Sequence, residues 1–134
     1  MTKYCAAILL SLALLLPFSA SAAGVSVKYM YEKCQPLSQK GFKVESVDDL
    51  ICHNTIRTLI SASYSACMWF KNAKRNGDQT DMATVWLIAS EATDTEAGIQ
   101  AFLNWAKSSP EYWENILSDF TGTWLSKSWP CRIE

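Results

Sequence analysis

The clearest pattern of apolar and polar positions in this chain lies between residues 46 and 71. Apolar or small side chains recur there every three or four residues, which is the spacing of one face of an α-helix. These positions are Cys52, Ile56, Leu59, Ile60, Ser63, Cys67 and Phe70. Ser46 stands three residues before Asp49, so its hydroxyl can cap the first amide groups of a helix that begins there. The pattern predicts one long central helix, which ends in a basic run before Gly77.

Two later segments carry the signals of a helix start. Thr93 precedes Glu96 by three residues, which is the spacing of a capping box, and the helix that follows ends at Ser108. Ser109 then precedes Pro110, and a proline is tolerated in the first turn because its missing N–H has no partner there. We expect this last helix to bury one of its sides. That side is formed by Trp113, Ile116, Leu117, Phe120 and Trp124.

The remaining segments carry weaker patterns. Residues 25–33 fit either a short strand or the first turns of a helix, and we favour a helix. Residues 35–45, which contain Pro36 and Gly41, predict a loop. The apolar run at residues 82–89 is too short for its periodicity to separate a buried strand from a helix. Taken together, these segments predict an all-α protein, a compact single-domain bundle of about four helices.

The first 23 residues have the pattern of a secretory signal peptide. Lys3 gives a short positive start, residues 6–16 are apolar, and Ala20 and Ala22 form the small-x-small pattern of a cleavage site. The apolar run is shorter than the roughly 20 residues that a membrane-spanning helix needs. We therefore expect the signal to be removed on export, leaving residues 24–134 as a helical domain without a membrane anchor.

Cysteine usage agrees with export. The expected mature chain keeps Cys34, Cys52, Cys67 and Cys131, and an even number in a small exported domain indicates two disulfides. Cys52 and Cys67 are about 22 Å apart on one continuous helix, whereas a disulfide needs Cα atoms within about 7 Å. We prefer Cys34–Cys52 with Cys67–Cys131, because the first closes a short loop and the second anchors the chain end. The alternative, Cys34–Cys67 with Cys52–Cys131, remains open.

The sequence contains no arrangement of side chains that is typical of an enzyme or a metal site. His53 follows Cys52 directly, but adjacent helical residues point about 100° apart, so the two are poorly placed to act together. There is no phosphate-binding glycine loop and no nucleophile elbow. The cysteines also lack the close spacing that zinc sites use, and His53 is the only histidine. We predict a protein with no catalytic residue, no metal and no cofactor.

Tryptophan is abundant, with six residues in the whole sequence. Trp105, Trp113 and Trp124 fall on the predicted apolar helix faces, so we expect them to fill the core. Trp69 and Trp86 fit those faces least. Because tryptophan is enriched among the residues that dominate protein interfaces, these two are the better candidates for contacts with a partner protein.

Charge divides the expected mature chain into a basic and an acidic half. Residues 24–75 contain eight bases and four acids, whereas residues 76–126 contain eight acids and one base. Either the two halves face each other within the fold, or the acidic part between Asp78 and Glu96 faces a basic partner and speeds their encounter. Nucleic acid is not an expected partner, because the exported chain is net acidic.

Several of these features occur together in one known family. They are the signal peptide, the early Cys34, the helix opened by Cys52, the Thr93 to Pro110 segment and the closing Trp129-Pro130-Cys131. In this combination, which covers most of the mature chain, the sequence resembles the Rap/Tai family of type VI secretion immunity proteins. The resemblance implies a small helical periplasmic protein that binds and blocks a cell-wall amidase effector, a cysteine amidase. A homodimer is plausible for the family.

An inhibitor of this kind needs a rigid body and a protruding segment that covers the active-site cleft of its target. We expect that segment at residues 72–81, together with the neighbouring tryptophans. The candidate partner-binding residues are Trp69, Lys74, Arg75, Asn76, Asp78, Asp81, Trp86 and Glu91. The alternative function is a small disulfide-linked periplasmic chaperone of the acid-stress type, which would expose apolar surface at low pH.

Overall fold

The computed structural model describes residues 24–79 and 81–133, and this part of the chain is built from helices. Its four α-helices are α1 (Val27–Gln39), α2 (Val47–Arg75), α3 (Met82–Ile88) and α4 (Thr95–Ser108). Two 3₁₀ turns and a π-helical segment follow, at Pro110–Tyr112, Leu117–Phe120 and Gly122–Ser126. The described residues form no β-strand, only the isolated bridges Ser26–Ile116 and Ser90–Pro130. The predicted all-α bundle is therefore confirmed. The expected signal peptide lies outside the described residues.

The long helix α2 lies at the centre, as its periodicity predicts. The Ser46 hydroxyl oxygen accepts a hydrogen bond from the Asp49 backbone N–H at 3.1 Å, so the predicted cap is present. Six of the seven positions on the predicted face are buried, and Leu59 is half-buried. Helices α1 and α4 pack on the first half of α2, and α3 packs on its second half. The described helices are thus arranged around α2.

Helix α1 extends further than the sequence predicts. The expected loop at residues 35–45 begins only after Gln39, and Pro36 lies inside the helix. Cys34 and Leu37 on either side of Pro36 are fully buried, so packing against the core outweighs the hydrogen bond that the proline cannot make. The turn that follows uses a left-handed backbone at Gly41, where φ is 64°.

The last predicted helix is not continuous. The carbonyl groups of Trp113 and Asn115 accept hydrogen bonds from the Lys28 and Val27 N–H groups at 2.9 and 3.0 Å, where α1 begins. The free amides at the start of α1 therefore take the carbonyls that a continuous helix would use internally. As a consequence Ile116, expected to be buried, is exposed, whereas Trp124 and Leu117 are buried as predicted.

Two smaller expectations are settled by local contacts. Residues 82–88 form a helix rather than a strand. Helix α4 is capped by Asp94, whose carboxylate accepts from the Ala97 N–H at 2.8 Å, and not by Thr93. The capping prediction is therefore wrong by one residue, because the carboxylate is the acceptor that faces the positive end of the helix.

The apolar core forms two clusters, each with one disulfide. The main cluster lies between α1, α2, α4 and the C-terminal segment and contains Cys34–Cys52, with Cα atoms 5.1 Å apart. The second lies under α3 and contains Cys67–Cys131, with Cα atoms 5.6 Å apart. This is the preferred pairing. None of the described helices has the length and apolar character needed to cross a membrane.

Candidate functional site

The expected partner-binding residues lie along the end of α2, the turn after it, and α3. We call residues 68–79 and 81–91 the tip. The turn after α2 is closed by Gly77, whose φ of 84° is a left-handed conformation that suits glycine. The Gly77 N–H donates to the Lys74 carbonyl and the Asp78 N–H to the Ala73 carbonyl, both at 3.0 Å, which is a Schellman motif. These two bonds fix the backbone at the end of α2, from Ala73 to Asp78.

The other side of the turn is held by Asp81, the cap of α3. Its carboxylate accepts from the Ala83 N–H at 3.0 Å and from the Thr84 hydroxyl at 2.6 Å. The Thr84 hydroxyl and then the Ala83 N–H lower the pKa of Asp81, so this carboxylate stays charged. Asp81 therefore has a structural role in addition to the partner role expected from the sequence.

The tip rests on the second apolar cluster. Phe70 and Val85 pack there beside the Cys67–Cys131 disulfide. The Ser126 hydroxyl donates to the Ala89 carbonyl at 2.7 Å, which ties the end of α3 to the C-terminal segment. The Cys67–Cys131 disulfide and a buried hydrogen bond thus fix the tip to the C-terminal segment.

Two tryptophans stand out from this surface. Trp69 is 65% exposed and Trp86 is 63% exposed, whereas Trp124 in the core is 2% exposed. Trp69 lies edge-on to Phe70, with ring centroids 5.0 Å apart. Leu87 and Ile88 are exposed on the same short helix as Trp86. Large apolar side chains that remain in water on two packed elements are typical of a contact surface.

The charged residues of the tip are divided between internal bonds and solvent. Glu91 accepts from the Lys71 ammonium at 2.7 Å and from the Arg132 N–H at 3.1 Å, and these contacts lower its pKa, Lys71 most strongly. Its carboxylate therefore lies among cations, beside Arg75 in a cleft of about 480 Å³. Asp78 remains exposed and shares a second cleft with Lys74.

The basic and acidic halves of the chain face each other only in part. Lys28–Glu114 at 3.8 Å and Lys71–Glu91 at 2.7 Å join the two halves. The other two ion pairs, Lys33–Asp48 at 2.8 Å and Lys40–Asp49 at 3.1 Å, lie within the basic half. Asp78 is exposed at the tip and forms no ion pair with another described residue.

Among the described residues, Cys52 and His53 do not form a reactive pair. The sulfur of Cys52 is bonded to Cys34, so it is not a nucleophile beside His53. Within residues 24–79 and 81–133, no three His, Cys, Asp or Glu side chains come together as metal ligands.

The sequence reasoning missed one feature, a groove between α4 and the C-terminal segment. Its volume is about 510 Å³, and Trp105, Trp124 and Trp129 contribute to its walls. The repeat of Gln100 and Asn104 at four-residue spacing on α4 is the only local signal of it.

The fold and the surface define a class of protein, a small all-α domain with two disulfides and with exposed tryptophans at the tip. Disulfides of this kind form in oxidising compartments. No protein-family model, no curated protein and no solved structure matches this chain.

Proposed function

We propose that this protein is a periplasmic immunity protein of the Rap/Tai kind, which binds a type VI secreted peptidoglycan amidase and covers its active-site cleft with the tip. The observation that carries the proposal is that Trp69 and Trp86 are exposed on the two helices that flank a turn. Hydrogen bonds fix the two ends of this turn at Gly77 and Asp81, and the Cys67–Cys131 disulfide lies in the apolar cluster on which the helices pack. Such an inhibitor protects the producing cell from its own and its siblings' effector.

Rigidity of the tip favours tight inhibition. Binding costs free energy when flexible side chains and loops become ordered, and a segment already held in its bound shape avoids much of that cost. The bonds at Gly77 and Asp81 and the Cys67–Cys131 staple have this effect here. Exposed tryptophans then supply large contact areas at the centre of an interface.

The exposed turn is the part of the tip suited to enter a cleft. Asn76, Gly77 and Asp78 are exposed at its end, with Lys74 and Arg75 at its base. The Asp78 carboxylate complements a cleft with a catalytic histidine and other basic groups, and this complementarity raises the rate of association. Glu91 contributes indirectly, because its ion pair with Lys71 orders the flank of the tip.

Two independent features support a location in the periplasm. The disulfides are of the kind that forms in oxidising compartments, and the first 23 residues carry a signal-peptide pattern. The target of a delivered amidase, the cell wall, lies in that compartment.

The direct test measures inhibition of the amidase encoded beside this gene, with purified peptidoglycan as substrate. We expect Trp69→Ala with Trp86→Ala to weaken inhibition about 1,000-fold, since truncation of a hot-spot tryptophan costs about 2 kcal/mol or more and each step of about 1.4 kcal/mol is tenfold. Tyr29→Ala is the matched control, because it removes an exposed aromatic ring from α1 and should leave inhibition unchanged. Full inhibition by the double variant, or a gene neighbourhood without an amidase, would contradict the proposal.

A second arm tests the charge of the turn. Asp78→Lys with Asp81→Asn removes both negative charges while asparagine retains the cap of α3. We expect slower association with the amidase, and Glu111→Lys, a charge reversal in a 3₁₀ turn outside the tip, should have no such effect.

The exposed Leu87 and Ile88 also suit a chaperone that holds unfolded clients at acid pH. Light scattering of unrelated aggregating proteins separates the two functions. General protection at low pH without amidase inhibition would favour the chaperone. Release of peptidoglycan fragments by the protein alone would instead indicate a cell-wall enzyme.

A further inference from the structure

The groove between α4 and the C-terminal segment has the composition of a small-molecule site. Its volume of about 510 Å³ falls within the usual range for ligand pockets, roughly 300–1,000 Å³. One wall is a single stripe of α4 and the other is the π-helical segment with the residues after it. The α4 stripe consists of Ala97, Gln100, Ala101, Asn104, Trp105 and Ser108. None of the groove residues belongs to the tip.

Three of the six tryptophans line this groove, one from α4 and two from the C-terminal segment. Trp105 is braced by Tyr112 and Phe120, with ring centroids 6.1 and 5.9 Å away, so its orientation is defined. Trp124 packs edge-on to Phe102 in the core, and Trp129 is half-buried at the other end of the groove wall. The electron-rich faces of such rings attract the polarised C–H groups of a pyranose ring.

Two amide side chains lie beside these rings in a defined arrangement. The Gln100 side-chain N–H donates to the Asn104 side-chain oxygen at 3.0 Å. This bond fixes both amides and leaves the Gln100 oxygen as an acceptor and the Asn104 NH₂ as a donor. An acetamido group presents the complementary pair, one N–H and one C=O. The amide pair therefore suits an acetylated amine better than a plain hydroxyl.

A third feature is the indole N–H of Trp124. The side chain forms part of the groove wall and is 2% exposed, and its nitrogen has no hydrogen-bond partner among the described residues. A buried donor without an acceptor costs about 1–3 kcal/mol, and this cost is located in the wall of the groove. Trp124 also lies in the π-helical segment. Such segments are rare in proteins overall, and many of those that occur are at functional sites.

We propose that this groove binds an N-acetylated saccharide. The acetamido group lies between Gln100 and Asn104, and the sugar ring packs on the exposed part of Trp105. Lys127 at the rim, which no ion pair links to another described residue, faces a carboxylate where the sugar carries one. The proposal does not depend on inhibition of an amidase.

Nitrogen-15 NMR of the mature protein tests this directly through the indole N–H signals. The probe is the tetramer of N-acetylglucosamine at up to about 10 mM, and we expect a Kd of about 1 mM or tighter. The Trp105 signal should shift most, because the sugar ring packs on that indole. Cellotetraose, which has the same ring but no acetamido group, should produce no shift. A muramyl disaccharide bound more tightly, with the gain lost in Lys127→Gln, would identify the cell wall as the source. Equal binding of the N-acetylglucosamine tetramer and the muramyl disaccharide would support recognition of the acetamido group without a preference for cell-wall sugars.

The matched variants address the amide pair. Gln100→Ala with Asn104→Ala changes two exposed side chains and should weaken binding about tenfold or more while the spectrum stays folded. Asn54→Ala, an exposed amide on α2, should bind normally. No shift at the highest tetramer concentration, an equal shift with cellotetraose, or unchanged binding by the double variant would each overturn the proposal.

Discussion

The two disulfides should contribute unequally to stability, and the difference can be measured with paired alanine variants. One variant is Cys67→Ala with Cys131→Ala, and the other is Cys34→Ala with Cys52→Ala. All four cysteines are buried, so the cavities left by the lost sulfur atoms are similar in the two variants. The main remaining difference is the length of chain that each bond closes.

The expected magnitudes follow from those lengths. Cys67–Cys131 spans 64 residues and Cys34–Cys52 spans 18. Loss of loop-closure entropy in the unfolded chain then corresponds to about 4 kcal/mol for the longer loop and about 3 kcal/mol for the shorter one at 25 °C. The unfolding free energy should therefore fall by about 1 kcal/mol more in the Cys67/Cys131 variant.

Urea unfolding followed by tryptophan fluorescence measures both losses, with the oxidised wild type as reference. Hydrogen exchange adds a spatial prediction. Because Cys67–Cys131 lies in the cluster under α3, its removal should accelerate exchange at Val85 and Ala89 while α1 stays protected. A larger loss in the Cys34/Cys52 variant, or uniform exchange across the molecule, would refute this account of what the staples do.

Two further predictions concern packing and pH. Gly122→Ala should destabilise the fold by about 1–3 kcal/mol in urea unfolding, because the added methyl group would collide with the Leu87 backbone carbonyl; an unchanged midpoint would contradict this contact. The Ser46 hydroxyl, the Glu45 N–H and Lys40 lower the pKa of Asp49 to about 2 from its ordinary 3.8. Because the pKa of Asp49 is lower in the folded than in the unfolded state, the ionised carboxylate stabilises the folded state at pH values above about 4. This contribution to the unfolding free energy should disappear as the pH falls from about 4 to about 2. Asp49→Asn should flatten the stability profile in that window, and an identical profile would count against the assignment.

Local patterns account for the parts of the fold that depend on neighbours in sequence. The α2 face, the Ser46 cap and the turn at Gly77 each need only contacts within a few residues, and each is present as the sequence predicts. The length of a continuous helix excludes a Cys52–Cys67 bond and leaves two pairings, of which the structure contains the preferred one.

The sequence predicts those features of the candidate site that depend on residues close together in the chain. Trp69 and Trp86 were selected because they fit no apolar face, and both are exposed. The engagement of Glu91 by Lys71 and Arg132 could not be predicted, since these residues lie 20 and 41 positions away from it. Ion pairs between distant segments depend on how helices dock, and no periodicity encodes that.

By itself the sequence determined a helical chain with one long central helix, the cap of that helix and the exposed tryptophans, and it limited the disulfides to two pairings. Only the tertiary structure decided that the segment after Ser109 breaks into short turns, because the start of α1 takes the carbonyls of Trp113 and Asn115. It also decided that Trp124 and Trp129 meet the α4 stripe to form a groove. The physical reason is common to both cases: a backbone or side-chain group bonds to the partner that packing brings near, and that partner is far away in sequence.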